Sequence, residues 1–120
     1  MAENITVDPK DAEDNKVMAV LAYLGILVLV PIFAAKESPF ARYHANQGLI
    51  LLIAGIAIYM ITYIATFVII AISLSLAWII SIFNAVVGLG MLAFIIIGII
   101  NAIKGEAKEL PLIGKYTILK

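Results

Sequence analysis

ANQGLILLIAGIAIYMITYIATFVIIAISLSLAWIISIFNAVVGLGMLAFIIIGIINAI, residues 45–103, runs for fifty-nine positions without a charged side chain. As one helix it would be ~88 Å long, nearly three times the ~30 Å hydrocarbon core of a bilayer, so it must turn back at least once. The best turn signal is Ser73-Leu74-Ser75. A turn there leaves two helices of about 28 residues, each ample for the ~20 a span needs. Division into three spans of about 17 residues would need a turn near 59–63, where no Gly, Pro or Asp supports one.

Upstream, residues 17–35 are a second uncharged run, nineteen positions long. At ~1.5 Å per residue they reach roughly 28 Å, enough for a further span, with Pro31 kinking or ending it in its last third. Asp14 or Asn15 stands where a cap belongs, before a helix starting near Lys16. The expectation is an all-α, polytopic helical membrane protein with three transmembrane helices, four being the alternative. Its membrane domain covers 16–104, with spans at about 17–35, 45–72 and 76–103. Residues 1–15 form a polar acidic segment, disordered or loosely helical at the surface. Residues 105–120 form a tail of Lys, Leu, Ile and Tyr. Lys104-Gly105 suits a helix end, a cation meeting the negative pole of the dipole and Gly taking a left-handed turn.

Composition agrees. Apolar residues make up 64% of the 120 positions and charged ones 13%, and mean hydropathy is +1.13. So small a soluble domain would need far more polar groups to cover its surface. Eight basic residues balance eight acidic ones, which speaks against nucleic acid as a partner. There is no cysteine, hence no disulfide or thiolate metal site. The acidic start (Glu3, Asp8, Asp11, Glu13, Asp14) is the reverse of a signal peptide's basic n-region, so the first apolar run is expected to be retained.

Lys and Arg near the membrane ends set orientation. With three spans, Lys36, Arg42, Lys104, Lys108, Lys115 and Lys120 face Lys10 and Lys16 across the bilayer. With four, the bias is again six to two. Both arrangements place the C-terminal tail in the cytoplasm, and the expected location is the plasma membrane.

The hinge, KESPFARYH at 36–44, carries the most chemistry. Ser38 is a good N-cap, and Pro39 suits the first helical position. A helix from there sets Arg42, Tyr43 and Asn46 on one side and pairs Phe40 with His44. Such residues anchor a helix at membrane depth. Ser38, Pro39, Phe40, Arg42, Tyr43, His44, Asn46 and Gln47 also make a candidate docking surface for lipid headgroups or a membrane protein partner. Together with Leu21-Ala22-Tyr23-Leu24-Gly25 in the first run and Leu110-Pro111 in the tail, the SPF-x-R-x-H-x-x-Q-G pattern resembles a domain-of-unknown-function family. Its members are small prokaryotic membrane proteins related to the Tic-type import component of the chloroplast inner envelope. The resemblance covers roughly residues 16–112. It implies a component of a membrane complex or an import-like translocon, and the plastid relatives, with four spans, keep that count open.

Catalytic chemistry is missing. His44 stands alone, whereas a zinc site wants three or four ligands. No phosphate loop, nucleophile–base pair or HExxH pattern occurs. No Asp, Glu, Lys, Arg or His lies between 45 and 103, which argues against ion-coupled transport. No cofactor and no enzymatic activity are expected. On the last helix Ala77, Ser81, Asn84, Ala85 and Gly88 form a small-residue packing face, Asn84 needing a partner in lipid. It serves helix packing within the chain ahead of a homo-oligomer seam, with Gly48 and Gly55 as a similar notch opposite. The preferred function is an accessory or scaffold subunit of a membrane complex. The alternative is a small oligomeric pore or transporter lined by Thr62, Thr66 and Ser73, a thin polar stripe.

Overall fold

The computed structural model describes residues 6–119. The first five residues of the acidic segment and Lys120 of the tail therefore lie outside the described residues. Every described element is helical. In chain order they are α1 (Pro9–Asp14), α2 (Lys16–Leu21), a 3₁₀ turn (Gly25–Val28), α3 (Leu29–Ala34), α4 (Pro39–Ile72), a second 3₁₀ turn (Leu74–Leu76) and α5 (Ala77–Ile103).

α4 and α5 are an antiparallel hairpin that turns where Ser73 goes extended, at φ −158° and ψ 117°. The 34 residues of α4 make a rod of ~51 Å, which accounts for most of the molecule's 56 Å length. Asn84 donates to Thr66 Oγ1 at 3.2 Å, and Met91 packs opposite Gly55, which fixes the register. Only 28% of the most apolar stretch of α4 and 17% of that of α5 is buried. Ile61, Phe67, Ile72, Trp78, Val86 and Leu89 are all exposed. A soluble protein's core helix would be covered; these are two helices long and apolar enough to cross a bilayer.

The expected first span is different. Residues 17–35 are not one helix but a tight hairpin of α2 and α3. Pro31 has no N–H to give the carbonyl four residues back, and its ring crowds that carbonyl. A continuous helix is therefore interrupted. Gly25, at φ 65°, takes the left-handed conformation that lets the chain reverse. Pro31 then falls in the first turn of α3, where no intrahelical bond is lost. Where three spanning helices were expected, two helices are long and apolar enough to cross a bilayer, with a short helical pair beside them.

The pair enters and returns at the same end of the molecule. Ser38, just after it, donates to Asp11, just before it, at 2.6 Å. Inside the fold, Ala22 and Tyr23 fill notches at Gly48 and Gly98. A Cβ on Gly48 would overlap the Ala22 carbonyl, and one on Gly98 would overlap the Tyr23 ring. Gly48 was expected to meet a neighbouring long helix; instead it receives the hairpin.

The small-residue face of α5 is also shifted. Asn84 and Gly88 turn towards α4, but Ser81 and Ala85 are exposed and Ala77 is half-buried. Ser81 bonds back to the Ala77 carbonyl at 2.9 Å. The buried positions of α5 are Ile80, Gly98, Asn101 and Ala102, so the contact stripe follows a helical face one position away from the expected one.

α5 ends as its sequence indicates. Gly105 sits at φ 72°, Glu106 N–H bonds to Asn101 O at 2.9 Å, and Gly105 N–H to Ala102 O at 3.1 Å. This pair of bonds is the Schellman closure. It turns the tail back across the start of α4.

Candidate functional site

The first turns of α4 hold the densest polar chemistry in the molecule. Ser38 caps the helix, its Oγ accepting from Ala41 N–H at 3.0 Å. Asp11 completes the cap from α1, with Oδ2 accepting from Phe40 N–H at 3.1 Å and Oδ1 from Ser38 Oγ. A carboxylate at a helix N-terminus also meets the positive pole of the dipole. Asn15, one of the two expected caps of α2 beside Asp14, instead turns its amide to Asp11 Oδ1 at 2.9 Å and makes no side-chain cap bond of its own.

One turn on, His44 is fully buried, ringed edge-on by Phe40, Tyr23 and Tyr43 at centroid distances of 4.7, 5.6 and 5.7 Å. Its Nε2 lies 2.8 Å from the Glu106 carbonyl. A carbonyl can only accept, so Nε2 carries the proton. In the neutral ring Nδ1 is then the acceptor, and it takes the Tyr23 hydroxyl at 2.6 Å. One imidazole thus joins the hairpin, α4 and the tail.

Asn46 and Gln47 bind the tail's backbone. Asn46 donates to Tyr116 O at 3.0 Å and accepts from the N–H groups of Ile118 and Leu119 at 2.7 and 2.9 Å. Gln47 accepts from Leu110 N–H and donates to Gly114 O, both at 2.9 Å. Two buried amides are satisfied almost entirely by main chain.

The residues read as a docking surface are therefore mostly internal. Ser38, Phe40, Tyr43, His44, Asn46 and Gln47 are buried, Arg42 is half-buried, and Pro39 alone is exposed. Their partners are the chain's own hairpin and tail. Asp11, Tyr23 and the tail carbonyls were not foreseen. Asp11 and Ser38 are 27 positions apart, and no local pattern links them. Tyr43 is buried with its hydroxyl unpartnered among the described residues.

Outside this clamp, Lys108 holds the Glu106 carboxylate at 2.9 Å and draws it below the usual carboxylate range. Among the described residues no group of three or more His, Cys, Asp or Glu is placed to hold a metal ion. In the long hairpin, Thr66 donates to the Thr62 carbonyl at 2.7 Å and Thr62 to that of Tyr59 at 3.1 Å. The two threonine hydroxyls of the expected pore stripe thus donate to their own helix, and the third member, Ser73, shares a hydrogen bond with the Ser75 hydroxyl in the turn at 2.7 Å.

Comparison with known proteins gives a consistent result. A profile of the magnetosome magnetite crystal formation protein family matches residues 14–117, which takes in the hairpin, both long helices and nearly all of the tail. The chain is 31% identical over 98 residues to magnetosome protein MmsF of Paramagnetospirillum magneticum, covering 82% of this chain and 80% of that protein. It is 41% identical over 54 residues to magnetosome protein MamF of Magnetospirillum gryphiswaldense, and 37% identical to MamF of P. magneticum over the same length. Each MamF match covers 42% of this chain and spans about half (49%) of the MamF protein. No solved structure gives a significant match. The expected kinship with the Tic-type import component is overturned, because the family matched across the hinge and both long helices is a different one. The translocation role drawn from that kinship falls with it. By a match over most of its length, the chain belongs to the magnetosome magnetite crystal formation protein family.

Proposed function

We propose that the chain is a non-enzymatic integral membrane protein of the magnetosome membrane that takes part in forming magnetite crystals. The family match over residues 14–117 carries this reading, and the two exposed apolar helices supply the means of membrane residence.

The topology proposed with it has two spans, α4 and α5, and a hairpin of α2 and α3 that dips into one leaflet. Lys10, Lys16, Lys36, Arg42, Lys104, Lys108 and Lys115 belong to α1, the hairpin ends, the hinge and the tail, all at one end. The opposite turn, residues 73–76, has no charged residue. The positive-inside rule assigns the charged end to the cytoplasm. The bias is steeper than either sequence-based arrangement gave, because the hairpin returns Lys36 and Arg42 to the side of Lys10 and Lys16. The other side then offers only Ser73-Leu74-Ser75 and its flanks, with no carboxylate for an iron ion. The chain thus acts on the crystal through the membrane that surrounds it rather than as a mineral template. The pore reading is weakened because Thr62 and Thr66 donate their hydroxyls to carbonyls of their own helix.

Complementation tests the proposal. In a magnetotactic host stripped of its own MmsF, this chain should move crystal dimensions, measured by electron microscopy, back towards those of the parent strain. A membrane-inserted chain that leaves crystal dimensions unchanged would defeat it.

A further inference from the structure

The molecule has unequal cross-sections at its two ends. At the level of Gly48 and Gly98 the hairpin strands lie beside α4 and α5, giving four helical segments. At the level of Thr66 and Asn84 only α4 and α5 remain among the described residues. Where the hairpin stops, the flank of α4 opens into an apolar groove of about 620 Å³, bordered by Gly25, Gly55, Tyr59, Tyr63 and Met91. A helix with its side chains is ~10 Å across, so each extra segment claims on the order of 80 Å² of leaflet area. Both fall on one side.

The hairpin's outward surface suits lipid. Val17, Ile26 and Phe33 are each more than two-thirds exposed, and Leu24, Leu27 and Leu29 add to the same surface. Its depth is about half a bilayer: Gly48, which meets Ala22, lies nine residues beyond Pro39, or ~14 Å along α4. Nor is it loosely attached. Ala22 and Tyr23 are seated in glycine notches, Tyr23 bonds to His44, and both ends are pinned through Asp11 to Ser38 and Phe40. The leaflet cannot recover the area by expelling the hairpin without breaking those contacts.

We propose that the α2–α3 hairpin is a rigid one-leaflet wedge, which makes the chain bind preferentially to membrane that is convex on its charged side. Apolar groups inserted at the depth of one leaflet bind more strongly where curvature spreads the lipids apart. In a convex membrane the wide end of the molecule occupies the expanded leaflet and the two-helix end the compressed one. The ligand is a lipid surface of defined curvature. This rests on the two-span-plus-hairpin topology proposed above, and not on any role in crystal formation.

The chain contains no cysteine, so single thiols can be placed at will. Lys115→Cys marks the charged end and Leu74→Cys the opposite turn. Each variant is reconstituted in giant vesicles, labelled from outside with a membrane-impermeant dye, and a narrow tube is drawn from the vesicle. Copies labelled at 115 should be severalfold denser on the tube than on the parent vesicle, and copies labelled at 74 should be depleted there. Equal densities for both orientations overturn the wedge. Adding Ile26→Ser and Phe33→Ser to Lys115→Cys should bring the tube-to-vesicle ratio towards one while helix content stays unchanged. If that variant does not fold, the contrast between the two orientations of the parent chain still decides. Thiols at Val17 and Lys36 that label from opposite sides would overturn the wedge through its topology instead, a failure distinct from an absent curvature preference.

Discussion

The Tyr23 hydroxyl donates to Nδ1 of His44 across 2.6 Å, tying the short hairpin to the first long helix in the interior of the fold. The other ring nitrogen holds the Glu106 carbonyl, so three segments distant in sequence meet on one side chain. A buried acceptor that loses its donor costs about 1–3 kcal/mol. Tyr23→Phe keeps the ring in the Gly98 notch and removes only that donor. It should destabilise the detergent-solubilised protein by that amount, read as a lowered midpoint of thermal unfolding. An unchanged midpoint would show that the bond contributes nothing.

Two glycines in the long helices should respond in opposite directions to one methyl group. At Gly48 the new Cβ meets the Ala22 backbone, which cannot swing aside, whereas Gly90 has nothing within 4 Å. Gly48→Ala should cost about 2 kcal/mol or more, as overpacking against a fixed neighbour does. Gly90→Ala should be neutral or gain up to about 1 kcal/mol from helix propensity. Denaturant titration of both variants checks the sign.

Asp11 and Ser38 act as one cap, so their losses should not add. Ser38→Ala and Asp11→Ala should each cost about 1 kcal/mol. The double variant should fall short of their sum by at least 0.5 kcal/mol, on the order of the coupling seen within shared networks. Strict additivity in the cycle would separate the two residues.

Asn46 fastens the tail at three backbone atoms. Asn46→Ala should leave the long helices intact yet release residues 116–119, so that added protease trims the tail several times faster. Equal trimming rates would place the fastening elsewhere, at Gln47.

Tyr43 offers a control of the opposite sign. Its buried hydroxyl has no partner among the described residues, and removing an unsatisfied donor is neutral or favourable. Tyr43→Phe should raise stability by up to about 1 kcal/mol in the same unfolding measurement, and a clear loss would reveal a partner for that hydroxyl.

What the sequence shows and what it conceals divide along physical lines. The helices over 45–72 and 76–103 and their turn at Ser73–Ser75 are legible because fifty-nine uncharged residues have few ways to satisfy their backbone in lipid. The end of α5 is legible because Lys104-Gly105 is a local signal. Residues 17–35 mislead because nineteen apolar positions pass the length test for a span. The outcome is decided by Pro31 and Gly25 together, and by ties at Asp11 and Tyr23 that no local pattern records. The hinge, read as a docking surface, is mostly buried. The tail groups that hydrogen-bond to His44, Asn46 and Gln47 lie 62 to 73 positions further on, beyond the reach of any periodicity.

That separation also orders the protein's assembly. Tyr116 and Leu119 follow Asn46 by 70 and 73 positions, so both long helices are translated before its amide can find them. Until then Asn46 lacks those backbone partners, and a nascent chain halted before Tyr116 would leave that amide unlocked. The tail is a fastener that closes after translation of both helices, and a ribosome-stalled intermediate should be recognisable by its open edge.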